Sequence, residues 1–380
     1  MSSNTAFTPD NVNARAHRLH QKAQESFERG DIRGALEGWR QAEELFRDGG
    51  DVGSRIAMLN NMAEMTVRYV DVSRGVELWR RAISLCEPIG DHPRQIAMIH
   101  SLAGVLIRQG DGAGGFALLE QGLALSEKTG DLRAQSGFLN SLGRFFSEQG
   151  DHARAIPLFQ QALRMKEVLD DVKGKASVLD SMAGAMARQG DYPRAQGLWR
   201  QALELKKKLG DLGDMAATLD SLAWAAFQLG DLEHSRELRL EAMRLFAYLR
   251  QWPNLVSVLV GLNLDGAQET TGWLAQGLWL ALRIPGVPAE QVLQLTVKLV
   301  HALPPGSELA PLLATTTLLL VDERGKLAPG WEALTRKAQQ LLDVCGAVTY
   351  PDPEHRASLE ALERLVGERG WLFPPHPWRA

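Results

Sequence analysis

Cysteine is all but missing from this chain. Cys86 and Cys345 stand far apart without C-x-x-C spacing, so neither a disulfide framework nor a structural zinc site is expected, and a reducing, cytoplasmic setting fits. Charge of one sign is also lacking. With 42 basic against 46 acidic side chains, the formal net charge of −4 is too balanced for a nucleic-acid footprint or a polybasic membrane anchor. Long hydrophobic runs are absent too: the stretches Trp273 to Ile284 and Leu309 to Val321 fall well short of the roughly 20 residues that span a bilayer. The first ten residues, MSSNTAFTPD, carry no apolar secretion core, and a short disordered lead is expected over 1–10. No H-E-x-x-H, paired-histidine spacing or nucleotide fingerprint occurs, so no metal and no cofactor is expected. What is present is 45% hydrophobic residues in 380, ample for an ordered core.

That apolar material is organised by a repeat. Gly-Asp recurs at 30/31, 50/51, 90/91, 110/111, 130/131, 150/151, 190/191, 210/211 and 230/231, with Val70-Asp71 and Asp170-Asp171 filling two missing registers. Glycine tolerates the left-handed conformation that closes a helix, and aspartate accepts the first free N–H groups of the next one. Each dipeptide therefore predicts a helix-to-helix turn. Between turns apolar residues step by three and four, as in Leu59, Met62, Ala63 and Thr66, which is helical periodicity.

Alternate helices differ, so the unit is two helices, A and B, in 40 residues. A helices carry Leu19, Leu59, Ile99, Leu139, Leu179 and Leu219, each followed four residues on by alanine or glycine. B helices carry small residues at Ala35, Gly75, Gly115, Ala155, Ala195 and Ser235, and again seven later. Between them stand Trp39, Trp79, Leu119, Phe159, Trp199 and Arg239. A small–large–small ridge packs into a neighbouring helix, and one unit cannot bury both of its faces alone.

This pattern resembles the tetratricopeptide repeat, W-x2-L-G-x2-Y followed by A-x3-F, as in Leu179-x2-Met182-Ala183-x2-Met186 and then Ala195-x3-Trp199. The repeat is six residues longer than the usual 34 and lacks the closing proline, a form similar to the repeats of the Leu-Gly-Asn-rich G-protein-signalling modulators and, more loosely, of kinesin light chains. The resemblance implies an all-α, right-handed superhelical solenoid of antiparallel helix pairs. Six repeats are expected over 11–250, a degenerate seventh over 251–285, and a C-terminal helical capping domain over 286–380, with helices near 288–303, 307–321, 328–346 and 353–370. Leu312 to Val321 also reads as a buried strand, because Thr315 to Thr317 are β-branched.

In such repeats the A helices line a concave groove. The position after the recurrent leucine is polar in each repeat: His20, Asn60, His100, Asn140, Asp180 and Asp220. Four and eight residues on lie Glu64 with Arg68, Arg108, Arg144 with Glu148, and Arg188. These side chains share one helical face. Asparagine offers a donor and an acceptor to a peptide backbone, and arginine grips a carboxylate with two prongs. Asn60, Glu64, Arg68, His100, Arg108, Asn140, Arg144, Asp180, Arg188 and Asp220 are thus the candidate peptide-binding residues. Arg68, Arg108 and Arg188 are expected to form a basic line, with Asp180 and Asp220 making its far end acidic, so that the partner is an extended segment with acidic residues near the middle repeats.

Competing uses of single residues are weaker. Trp39, Trp79 and Trp199 sit at the packing position rather than on a base-stacking ladder, and Asp111-Gly-Ala-Gly-Gly115 lacks the lysine and hydroxyl of a phosphate loop. A thiolate at Cys345 with His301 or His355 has nothing beyond residue types behind it. The expected function is a non-enzymatic adaptor or scaffold for a protein or peptide partner. Alternatives are a peptide-sensing regulator, an array controlling a C-terminal effector, and a self-assembling scaffold using Trp371, Phe373 and Trp378.

Overall fold

The recurring Gly-Asp dipeptide closes one helix and caps the next. Gly110 takes φ +90° and Gly130 φ +70°, where a side chain on the α-carbon would be strained. The aspartates that follow turn Oδ1 onto the N–H three residues on, Asp111 to Gly114 at 2.8 Å and Asp131 to Ala134 at 2.9 Å. The same caps recur at every such turn from Asp31 to Asp231. The two registers without glycine diverge. Asp170 still adopts φ +48°, whereas the β-branched Val70 stays at φ −127°.

The computed structural model describes residues 9–261, 267–284, 287–325, 330–346 and 356–367. Their regular elements are all helical. The chain divides into two compact units, 1–189 and 190–380.

The first unit holds α1 (Pro9–Glu28), α2 (Ile32–Asp48), α3 (Val52–Tyr69), α4 (Val72–Cys86), α5 (His92–Arg108), α6 (Gly112–Thr129), α7 (Leu132–Glu148), α8 (His152–Val168) and α9 (Val172–Arg188). A and B helices pair as α1 with α2, α3 with α4, α5 with α6 and α7 with α8, and each pair packs on the next. Trp39, Trp79, Leu119 and Phe159 are buried between their small flanking residues. Each contributes roughly 1.5–3 kcal/mol by leaving water. Closeness is enforced: a Cβ at Gly122 would run into the ring of Phe138, and one at Gly143 would lie 2.8 Å from Phe159. Residues 1–8 of the expected disordered lead lie outside the described residues, and its last two positions already belong to α1.

The second unit holds α10 (Tyr192–Leu209), α11 (Leu212–Gln228), α12 (Leu232–Tyr248), α13 (Trp252–Gly261), α14 (Ala267–Arg283), α15 (Ala289–Ala302), α16 (Leu309–Gly325), α17 (Trp331–Cys345) and α18 (Arg356–Gly367). Consecutive helices from α10 to α17 pack on one another, and α18 returns to α14 and α16. Trp279 Nε1 donates to Glu363 Oε1 at 3.1 Å, and the buried hydroxyls of Thr316 and Ser358 meet at 2.6 Å, fastening α18. The segment that also read as a strand is helix α16. Its threonines are accommodated because Thr315 and Thr316 donate back to the carbonyls of Pro311 and Leu312, each at 2.9 Å. No helix among the described residues is long and apolar enough to cross a membrane. His355, Trp371, Phe373 and Trp378 lie outside the described residues.

Candidate functional site

In the first unit the A-helix faces of α3, α5 and α7 border a cleft of about 890 Å³. Glu64 and Arg68 of α3, His100, Gly104 and Arg108 of α5, and Ser141, Arg144 and Glu148 of α7 line it, with Val67, Ile107 and Phe145 supplying apolar wall. Five candidate residues meet here: Glu64, Arg68, His100, Arg108 and Arg144.

Their engagement differs. Arg144 reaches Glu148 at 3.8 Å, and Glu64 accepts from Asn60 Nδ2 at 3.2 Å. Arg68 and Arg108 have no hydrogen bond or ion pair among the described residues; Arg68 only leans over Tyr69, 6.0 Å from the ring centre. Three arginines, two of them unengaged, thus line the cleft with two glutamates, and it carries surplus positive charge. His100 meets Ser141 Oγ at 2.8 Å and stands edge-on to Phe138 at 5.1 Å. Desolvation by the cleft walls holds its imidazole below the ordinary histidine value; a hydrogen bond to Gly137 opposes this and the charge of Arg144 adds to it. The ring is neutral at physiological pH and acts as a hydrogen-bonding group.

The other candidates are placed differently. Arg188 donates from Nε and Nη2 to the buried Ser147 Oγ at 3.1 and 3.0 Å, tying α9 to α7. Arg108 stands at the same register, but the residue 41 positions before it is Val67, which offers no acceptor. The three arginines expected to form a basic line thus have unequal freedom. Asn60 Oδ1 accepts from the indole N–H of Trp79 at 2.9 Å, 19 residues on. Where Phe159 replaces the tryptophan, Asn140 Oδ1 is buried without a partner among the described residues. Asp180 lies half-buried at the same register of α9.

Asp220 stands in the second unit, where it pairs at 3.8 Å with Arg239, again 19 residues on. Arg239 is 5% exposed and also donates to the Gly261 carbonyl. Burial raises the Asp220 carboxyl above its ordinary value and lowers the Arg239 guanidinium, each opposed by the other's charge. The polar position after the recurrent leucine is therefore, in part, the polar partner of the bulky B-helix position, by a hydrogen bond in Asn60 with Trp79 and by an ion pair in Asp220 with Arg239. This was readable in the sequence as Asn60 with Trp79 and Asp220 with Arg239, a constant offset of 19. Cys345 is half-buried and burial raises its thiol, so a thiolate is disfavoured; His301 Nδ1 meets the Val297 carbonyl at 2.8 Å.

Helix pairs of 40 residues, small–large–small ridges and a cleft on the A face meet in one assignment. Residues 94–167 match the family of tetratricopeptide repeats. Among solved structures, the chain is similar to the apo form of the quorum sensor NprR from B. thuringiensis, at TM-score 0.57 and 14% identity over 87% of each chain. The apo form of RapI matches at TM-score 0.57 and 13% identity, over 76% of this chain and 97% of that one. A Rap protein complexed with Competence and Sporulation Factor matches at 0.51 and 11%, over 94% and 100%. At such identities the likeness is one of fold. A comparison with curated proteins finds no match.

Proposed function

We propose that the chain is a protein-interaction module whose cleft across α3, α5 and α7 holds an extended partner segment bearing acidic residues, and that it acts by binding rather than by catalysis. The observation that carries this reading is the pair of unengaged guanidinium groups, Arg68 and Arg108, in a cleft of about 890 Å³ with apolar walls. Guanidinium and carboxylate make short, two-pronged hydrogen bonds, and Val67, Ile107 and Phe145 give the neighbouring side chains somewhere to leave water. The cytoplasm is the compartment this reading assumes.

The test is selection of peptides from an acid-rich display library by the full chain, followed by fluorescence anisotropy with the best peptide. Arg68→Glu with Arg108→Glu is expected to weaken binding at least a hundredfold while the helical circular dichroism stays unchanged. Equal binding by the variant overturns the reading. A second reading, a sensor that changes state on binding its ligand, is favoured by the extent of the likeness to the quorum sensor NprR, 87% of this chain. A change in hydrogen exchange within residues 190–380 on peptide binding would favour it.

A further inference from the structure

Gly104 is a glycine that the packing of this chain does not need. The ridge glycines have steric reasons: a Cβ at Gly75 would drive into Val67, one at Gly115 into Ile107 and one at Gly122 into Phe138. Gly104 sits in the interior of α5, where glycine weakens a helix relative to alanine. A Cβ built there meets only Arg108 Nη1, at 3.5 Å, an ordinary van der Waals contact. Nothing in the protein excludes alanine, yet the position lines the cleft, one turn from His100 on one side and one turn from Arg108 on the other. The same register carries the long side chains of Glu64 on α3 and Arg144 on α7, which line the same cleft. At Gly104 the missing side chain leaves a hollow bounded by the Arg108 guanidinium.

We infer that Gly104 is a specificity-determining residue: it admits the main chain of an acidic, extended peptide to van der Waals contact with α5, so that a carboxylate of that peptide reaches Arg108. This rests on the cleft being the binding site. The charge surplus of Arg68 and Arg108 selects an acidic occupant, and the hollow selects close backbone approach over a bulky side chain. Gly137 and Gly197 are equally free of steric reasons but do not line the cleft, and Gly184, free in the same way, stands beside an arginine already held by Ser147.

Gly104→Ala, Gly104→Val, Gly197→Ala and Arg108→Glu are compared in the full chain with the peptide selected on wild type. Gly104→Ala and Gly197→Ala should both raise the melting temperature, by about 2 °C each. Only the first should weaken binding, by about tenfold, with a larger loss for valine as the intrusion grows. Arg108→Glu failing to weaken binding, or wild type enriching no peptide, removes the binding site and this inference with it. Binding lost in Arg108→Glu but unchanged in both Gly104 variants leaves the site standing and overturns the role of Gly104.

Discussion

Asp171 should be costlier to remove than Asp131, which caps its helix by accepting from Ala134 N–H. Asp171 likewise caps a helix, accepting from Gly174 N–H at 2.9 Å. It also receives the buried Lys166 Nζ at 2.8 Å, with side chains only 11% and 12% exposed, while the exposed Arg133 approaches at 3.3 Å. A helix cap contributes about 1 kcal/mol. Leaving a buried charge without its partner costs about 3–5 kcal/mol, and the lower end applies because water still reaches both groups. Asp171→Ala is thus expected to destabilise by about 4 kcal/mol, Asp171→Asn, which keeps a cap, by about 3, and Asp131→Ala, a cap alone, by about 1. Urea denaturation followed by ellipticity, with unchanged m, measures all three. Lys166→Met combined with Asp171→Asn should recover most of the loss, because the stranded cation is gone.

The pH dependence follows with its sign. The Lys166 hydrogen bond, then the Gly174 N–H, hold the Asp171 carboxyl below its ordinary value. A depressed carboxyl contributes stability that is whole above its unfolded value near 4 and is lost as pH falls through the folded value. The gap between wild type and Asp171→Asn should therefore be constant from pH 7 to 5 and close below about 4. An Asp171→Ala cost equal to that of Asp131→Ala would refute the reasoning.

Other residues give sharper contrasts. Arg188→Ala should destabilise by about 1–2 kcal/mol by orphaning the buried Ser147 hydroxyl, whereas Arg108→Ala should leave stability within about 0.5 kcal/mol in the same denaturation assay. Trp79→Phe should cost about 1–3 kcal/mol by leaving Asn60 Oδ1 without its indole donor, and Asn60→Leu in that background should return part of it. His100 has its proton affinity lowered on folding, so the unfolded chain takes the proton first as pH falls below about 6.5 and stability declines there; His100→Gln should flatten that slope in pH-resolved melts.

The turns, the helices and the alternation of A and B were legible because each depends on residues close in sequence: an Asp that caps its own helix, a Gly that ends it, an apolar step of three and four. The family pattern was legible for the same reason, as was the grouping of Glu64, Arg68, His100, Arg108 and Arg144 on the faces that line the cleft. What each of those side chains does was decided only by the tertiary structure. Arg108 and Arg188 are the same residue at the same register, yet Arg188 is held by Ser147 while Arg108 has Val67 at the corresponding position, because the acceptor comes from a helix 41 residues earlier. Asn60 and Asp220 look alike as polar groove positions, yet a tryptophan claims one and a buried arginine the other. Periodicity places a side chain on a face; the neighbour that meets it there across helices determines whether its hydrogen bonds are already spent or still open to a partner.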